Sequence, residues 1–221
     1  MHRHLIFTFA KGYPELDPIF VEDYELIPVS SANILSVHIS ADLKWNVHIS
    51  HILTKASKRL YFLRLIKRSE VDHTSLLTVY TTCIRFVLEY GCQTWNFGIP
   101  QYLSEEVERI QRRDLRIIYP HLCYRQALKT IHLPTLSLRR DNLFKSHFNK
   151  LMNPNHQLHY LLSEKRDNNL RNNNNFTNFR WRTSRFKNSF IPSSVVLFND
   201  TWIAFYSFIC THIQTLEYAV I

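Results

Sequence analysis

The chain has 221 residues, of which 45% are apolar and 20% are charged, so it can bury a sizeable core and is not disordered as a whole. It contains only three glycines, Gly12, Gly91 and Gly98, and no two of them lie close enough to build a phosphate-binding loop. This spacing excludes Walker-A, dinucleotide-binding and kinase-type loops, which need clustered glycines. Four scattered cysteines without a C-x-x-C pair predict neither a disulfide scaffold nor a Cys-rich zinc module, but reduced thiols.

The formal net charge is +9, and the excess of cations is concentrated in residues 47–70 and 161–190. Clustered positive charge is typical of proteins that bind polyanions, with nucleic acid ahead of acidic lipid. The alternative is that the lysines and arginines are simply solvated on exposed helix faces and bind no partner. Composition alone does not separate the two.

Two apolar stretches are candidates for a secretory signal or a membrane span. Residues 5–10 are shorter than the hydrophobic region of a secretory signal, and the apolar run at 202–210 is interrupted before it reaches membrane-spanning length. We therefore expect an intracellular protein, nuclear or cytoplasmic, that is not secreted and has no transmembrane segment.

Residues 1–46 predict short strands and turns. Tyr13-Pro14 and Asp17-Pro18 disfavour helix near the start of the chain, because proline fixes its own φ and restricts the residue before it. The short β-branched run Ile34–Ile39 predicts a strand.

Residues 47–152 predict a helical, thumb-like domain. In its first helix, over 47–68, apolar residues recur at spacings of three and four, which is one face of an amphipathic helix. A second helix is expected over 73–90, with Asp72 as its N-cap and Gly91 just past its end.

Three more helices follow in the predicted domain. The first runs over 104–118 with Ser104 as N-cap and Glu105, Glu106 and Glu108 near its positive end. Its apolar stripe includes Asp114, which needs a partner such as Arg113 or must shift its pKa. Helices are also expected over 122–131 and 137–152.

Residues 163–189 change in character and predict a flexible, basic, Asn-rich linker, followed by an apolar tail over 190–221. Within the linker, residues 178–187 alternate aromatic rings with cations. Such a segment binds single strands by neutralising phosphates and stacking on bases. The alternative is a linker whose rings pack back on the helices. The fold class expected is mainly α: a helical bundle with a small N-terminal β element.

Catalytic and metal-binding patterns are sparse. His48/His51 and His156/His159 have H-x-x-H spacing, but two ligands do not define a metal site and no H-E-x-x-H motif is present. No Asp-Asp dipeptide, G-x-S-x-G motif or His-x-Asp pair occurs. We expect no enzyme activity, no catalytic residue, no bound metal, no cofactor and no small-molecule substrate.

The cations provide the candidate site. The cations of the first long helix lie largely off its apolar stripe, on a helix about 30 Å long. The cations of the linker are the second choice, because ordering a mobile segment costs conformational entropy. The partner expected is RNA or single-stranded DNA, held through its phosphates, and no membrane. The candidate nucleic-acid-binding residues are Lys55, Lys58, Arg59, Arg64, Lys67, Arg68, Arg180, Arg182, Arg185 and Lys187.

Several motifs, in order along the chain, resemble the non-LTR (LINE, jockey-like) retrotransposon polyproteins. Residues 34–49 resemble their "LGV.I...L.W..HI" block, which lies just C-terminal to the reverse transcriptase core. Residues 179–192 resemble the terminal "F..R....KNSFIP" stretch. The matching positions between them are Lys55–Leu60, Tyr80, Ile84-Arg85, Leu88–Tyr90, Trp95, Leu103, Glu108–Gln111 and Leu115–Ile118.

The resemblance implies the thumb and C-terminal tail of an RNA-directed DNA polymerase, which grip template RNA and nascent DNA. The family's metal-binding acids, in its F/Y-x-D-D motif, have no counterpart in this chain. Ser36 replaces a glycine of the block, Phe86 stands where the family has proline, and Asp114 replaces a small apolar residue. These departures, and residues 201–221, which match nothing in the family, indicate a decayed, non-catalytic remnant.

The same block is similar to the so-called N-terminal region of the eighth AlkB homologue, a tRNA-modifying dioxygenase–methyltransferase. That similarity implies methyltransferase or 2-oxoglutarate dioxygenase activity, but the chain has neither an iron triad nor a Gly-rich loop for S-adenosylmethionine. The function expected is therefore nucleic-acid backbone binding by a remnant. The remaining alternative is an inert or protein-interaction helical fragment.

Overall fold

The structure, a computed structural model, describes residues 3–7, 17–165 and 175–200. The described part is mainly helical and has a small set of strands near the N-terminus, which confirms the predicted fold class. The chain divides into two compact units. The first comprises Met1–Cys92 and Gly98–Arg140, and the second comprises Gln93–Phe97 and Asp141–Ile221.

The strands of the first unit form three separate two-stranded pairs. β1 pairs with β4 in parallel, whereas β2 with β3 and β5 with β6 are antiparallel. The strands are β1 (Arg3–Leu5), β2 (Phe20–Val21), β3 (Tyr24–Glu25), β4 (Ile27–Val29), β5 (Ser31–Ile34) and β6 (Val37–Ser40).

The expectation of one strand over Ile34–Ile39 is wrong, because the chain reverses in the middle of that run. Leu35 and Ser36 have φ values of 48° and 66°, and Ile34 pairs directly with Val37. Positive φ at both central residues is the backbone of the two-residue hairpin turns whose twist matches that of the strands. The β-branched composition predicted extended backbone correctly on either side but did not reveal the turn.

Helices account for most of the rest of the described chain. The principal ones are α1 (Asn46–Arg68), α2 (His73–Val79), α3 (Arg85–Glu89), α4 (Cys92–Trp95), α5 (Gln101–Ile118), α6 (Tyr124–Thr130), α7 (Leu136–Leu151) and α8 (Ser184–Lys187).

α1 confirms the first predicted helix to within one residue. Its inner side buries Ile49, Ala56, Leu60 and Leu63, and α1 packs along α5. Ile52 is buried on the same side. Because these residues repeat at three and four positions, one stripe of the helix lies in the core and the opposite side faces solvent.

The predicted helix over 73–90 is present but contains a π-helical turn, Tyr80–Ile84, between α2 and α3. Asp72 accepts a hydrogen bond from the Ser75 amide at 2.9 Å, which confirms it as the N-cap. Gly91 follows the last turn with a φ of 61°, the left-handed conformation expected just past a helix end.

α5 begins three residues earlier than predicted, at Gln101, so Ser104 is not its N-cap. Pro100 adopts an extended conformation before the helix, and its carbonyl accepts the amides of Leu103 and Ser104. The Ser104 hydroxyl instead accepts from the guanidinium of buried Arg140 at 2.7 Å. The longer helix also moves Glu108 away from the first turn.

The second unit has its own aromatic core. Phe148, Leu151, Phe176 and Val195 are buried together, with Phe198 packed against them. Val195 and Phe198 belong to residues 190–200, which are helical. Residues 201–221 of the predicted tail lie outside the described residues.

Part of the range predicted as a flexible linker is packed in this core. Phe176 is buried, its amide donates to Asn199 at 3.1 Å, and it bridges to Lys165 in antiparallel fashion. Thr183 caps the short helix α8 through the Phe186 amide. This packing was not predicted because the range is rich in asparagine and polar on average. One apolar ring within it, Phe176, is enough to anchor the segment. Residues 166–174 lie outside the described part.

Candidate nucleic-acid interface

The outward side of α1 combines cations with exposed aromatic rings. Lys55, Lys58 and Arg68 are exposed, and none of them forms an ion pair with any described residue. Tyr61 and Phe62 lie among them with 58% and 60% of their surfaces exposed. This side therefore offers positive charge and stackable rings on a rigid rod, the combination that single-strand binding uses.

Arg59 and Lys67, two of the predicted binding residues, are occupied by bonds within the first unit. The Arg59 guanidinium donates to the carbonyl oxygen of Cys83. The Lys67 ammonium donates to the carbonyl oxygens of Ile117 and Ile118, at the C-terminal end of α5. Both side chains lie toward the packed side of α1, so their first role is to hold neighbouring helices.

Arg64 is exposed, but its charge acts on a buried carboxyl. Asp114 is fully buried on α5, and neither of its oxygens accepts a hydrogen bond from a described residue. Burial raises the pKa of Asp114 to about 8, against the opposing effect of Arg113 and Arg64. The sequence places Asp114 on an apolar stripe, where a carboxylate needs a partner. In the structure Arg113 does not pair with it directly.

α5 carries an arginine face that the sequence analysis did not identify. Arg109, Arg112, Arg113 and Arg116 are all exposed, and no described residue forms an ion pair with any of them. Their spacing of three and four residues, in the pattern R-x-x-R-R-x-x-R, was the available signal. The acidic residues Glu105, Glu106 and Glu108 concealed it, because they lower the net charge of the segment.

A buried polar network beneath α5 fixes the neighbouring elements. Glu108 accepts the hydroxyl of Tyr124 and the amides of Leu136 and Ser137 at the start of α7. Gln111 donates to the Tyr124 hydroxyl at 2.9 Å and accepts from the hydroxyl of Tyr80. Because each acceptor is matched with a donor, the network holds Tyr124 and the chain after α6 in a defined position.

The four linker cations lie in the second unit and are exposed. The Lys187 ammonium lies 5.4 Å from the centre of the Trp181 ring, a cation–π contact. Phe179 and Phe186 meet edge to face with their centroids 6.3 Å apart. Two of the rings that alternate with cations therefore contact each other, while Arg180, Arg182 and Arg185 remain on the surface.

Among the described residues, which include both H-x-x-H pairs, no group of three or more His, Cys, Asp or Glu side chains is placed to hold a metal ion. His48 is buried, its Nδ1 accepts the His38 amide at 3.3 Å, and burial lowers its pKa to about 4. His159 contacts the Leu151 carbonyl at 3.0 Å, and His156 accepts the Leu158 amide. These histidines have roles within the fold.

None of the described helices is both long enough and apolar enough to cross a membrane.

One family model matches the chain. Residues 45–85 are similar to the family described as alkylated DNA repair protein alkB homolog 8, N-terminal. The match begins at Trp45, includes α1 and α2, and ends at Arg85, so it confirms the similarity to the eighth AlkB homologue over a minor part of the chain. No curated protein and no solved structure matches the chain in the corresponding comparisons.

Proposed function

We propose that the chain is a non-catalytic remnant of the post-catalytic region of a non-LTR retrotransposon reverse transcriptase, and that it retains binding to the backbone of RNA or single-stranded DNA. The observation that carries the binding proposal is the outward side of α1. There, the cations Lys55, Lys58 and Arg68, which form no ion pair with a described residue, flank the exposed rings of Tyr61 and Phe62.

The proposed ancestry rests on the order of the family motifs along the chain. The hairpin turn supports it at one position. Ser36, where the family block has glycine, adopts a φ of 66°, a conformation that glycine accepts without steric cost. The hairpin turn is followed by the amphipathic helix α1, an order that agrees with the family pattern. A serine in place of the glycine is the kind of change that a decaying sequence accumulates.

The mechanism of binding follows from the geometry of α1. Its buried stripe fixes the helix to the core, so the backbone that carries the cations is already ordered and adds little entropy cost when a strand binds. Phosphate contacts contain no base code, and ring stacking tolerates every base. Binding is therefore salt-dependent and weakly selective for sequence.

The test compares two double variants that remove the same charge. Lys55→Gln with Lys58→Gln should weaken binding to single strands and flatten the plot of log K against log[salt] by about 1.4, because each lost phosphate contact on a single strand contributes about 0.7. Arg125→Gln with Lys129→Gln, which removes exposed cations from α6, is the control and should change the slope far less. Arg59 is omitted because its loss also breaks the bond to Cys83.

A third variant tests stacking. Tyr61→Ala with Phe62→Ala should weaken binding by about 1–3 kcal/mol per base that stacks there, with the salt slope unchanged. If the lysine pair and the aromatic pair both leave affinity unchanged, while Arg180, Arg182 and Arg185 changes abolish it, the α1 assignment is wrong. If wild-type chain binds no strand at low salt, the alternative of an inert or protein-interaction fragment is favoured.

The proposed absence of catalysis is tested separately. The chain has no F/Y-x-D-D motif, so purified chain should not extend a primer on an RNA template with Mg²⁺. It should also turn over neither 2-oxoglutarate nor S-adenosylmethionine. Activity in any of these assays would refute the proposal of a non-catalytic remnant.

A further inference from the structure

The C-terminal half of α5 lines a cavity of about 440 Å³ in the first unit. Arg112 and Arg116 line its wall, with His121 and Tyr124 beside them, and Leu115 and Ala127 are buried beneath. Among the described residues, no carboxylate lines this cavity. The site is thus concave and positively charged, whereas the outward side of α1 is a convex rod.

One of the two arginines of this cavity, Arg112, contacts a rigid neighbour. The Arg112 guanidinium lies 5.4 Å from the centre of the Tyr124 ring. That ring is fixed, because the Tyr124 hydroxyl donates to Glu108 and accepts from Gln111. Burial and the bond to Glu108 raise the pKa of Tyr124, so the hydroxyl keeps its proton and its place in the network.

Glu108, the carboxylate four residues before Arg112 on α5, forms no ion pair with the arginines in the described part of the chain. It already accepts the Tyr124 hydroxyl and the amides of Leu136 and Ser137. Arg112 and Arg116 form no ion pair with any described residue, so their planar donor groups are available to a ligand. Guanidinium groups recognise phosphate with paired, parallel hydrogen bonds, which a lysine does not provide.

We propose that this cavity, formed by Arg112, Arg116, His121 and Tyr124, binds a phosphate group of a nucleic-acid strand. Two sources share that chemistry, an internal phosphodiester and a 5′-terminal phosphate. The inference rests on the proposed nucleic-acid binding, and it adds a discrete pocket to the diffuse contacts of α1.

The experiment measures the affinity of the full chain for a 3′-labelled oligothymidylate of about ten nucleotides, a length within the usual range of single-strand sites. Arg112→Gln with Arg116→Gln removes the two arginines that line the cavity. Arg109→Gln with Arg113→Gln removes the same charge from the same exposed helix face but leaves the cavity wall intact. Circular dichroism on each variant verifies that the helices persist.

We expect Arg112→Gln with Arg116→Gln to weaken binding by about tenfold or more, which is the effect of losing a charge-assisted hydrogen bond. The matched variant, Arg109→Gln with Arg113→Gln, should weaken binding only about twofold. Arg112→Lys with Arg116→Lys keeps the charge and should still lose most of that affinity, because the paired geometry is gone. A preference for oligonucleotide with a 5′-phosphate assigns the terminal source, and equal affinity with a 5′-hydroxyl assigns the internal one.

Equal losses in the two arginine-to-glutamine pairs would overturn the pocket, because charge alone would then account for binding. Full affinity in Arg112→Gln with Arg116→Gln would also overturn it. Neither result touches the proposed function, whose failure would appear instead as wild-type chain that binds no single strand at low salt.

Discussion

Asp114 is the residue at which sequence and fold conflict most clearly. It lies on the packed side of α5 with both oxygens buried and without a hydrogen-bond partner in the described part of the chain. A carboxylate in such a place loses its hydration without compensation, so the folded state favours the neutral acid. The pKa of Tyr80 is also raised, first by burial and then by the charge of the Asp114 carboxylate.

This environment predicts a pH-dependent stability. The pKa of Asp114 rises from 3.8 to about 8 on folding, so between those values the folded state holds a proton that the unfolded state has released. The contribution is fully present below about pH 4 and is lost as pH rises to about 8, at up to about 1.4 kcal/mol per pH unit. Asp114→Asn should remove this fall in the free energy of unfolding, measured by urea denaturation from pH 4 to 9.

The control for this prediction is Glu105→Gln on the same helix, which removes one carboxylate at an exposed position. It should leave the pH profile of the wild type intact. An Asp114→Asn profile that still falls in parallel with the wild type would show that another group causes the effect.

Ser36 provides a second prediction at the scale of one residue. A left-handed conformation is strained for a side chain with a Cβ but not for glycine, so Ser36→Gly should raise the free energy of unfolding by about 1 kcal/mol. Ser31→Gly, in strand β5 of the same hairpin, is the control and should lower it by about 0.5–1 kcal/mol. Both are measured by thermal or urea denaturation, and a destabilising Ser36→Gly would contradict the turn assignment.

At the scale of the element, the two sides of α1 differ in chemistry. Its inner side anchors the helix to α5 and the π-helical turn, and Arg59 and Lys67 extend that anchoring with bonds to backbone carbonyls. Its outer side leaves Lys55, Lys58 and Arg68 without ion pairs in the described residues. Cations on one helix are therefore not equivalent, and the phase of each around the axis decides its role.

The two sides predict different costs for similar substitutions. Lys67→Met should lower the free energy of unfolding by about 1–2 kcal/mol, since it removes a charged donor from the carbonyls at the negative end of α5. Lys58→Met should change it by less than about 0.5 kcal/mol, because that side chain is exposed and forms no ion pair with a described residue. Equal effects of the two changes in urea denaturation would contradict the assignment of roles.

At the scale of the whole molecule, cationic surfaces occur on α1, on α5 and near α8. If the proposed function holds with about five phosphates engaged on a single strand, log K should fall with log[salt] at a slope near −3.5, or about −0.7 per contact. Affinity for oligothymidylate and for mixed sequences should differ little, because the contacts are to phosphates and ring faces. A flat salt dependence, measured by anisotropy, would contradict an electrostatic mode of binding.

The sequence determined the helices and the class of fold, because amphipathic periodicity and end signals are local properties. The stripe of α1, the cap at Asp72 and the left-handed Gly91 were all predicted and are all present. Local composition also marked Asp114 as out of place on an apolar stripe. These features depend on residues a few positions apart, which a single sequence displays directly.

Only the tertiary structure decided which charged and polar groups are used inside the fold. The bonds of Arg59 to Cys83 and of Lys67 to α5 join residues 24 and 50 positions apart. The burial of Glu108 beneath Tyr124 and the packing of Phe176 in the second unit likewise depend on distant segments. A cation is available to a ligand only if no distant group has engaged it, and periodicity along one helix contains no information about its neighbours.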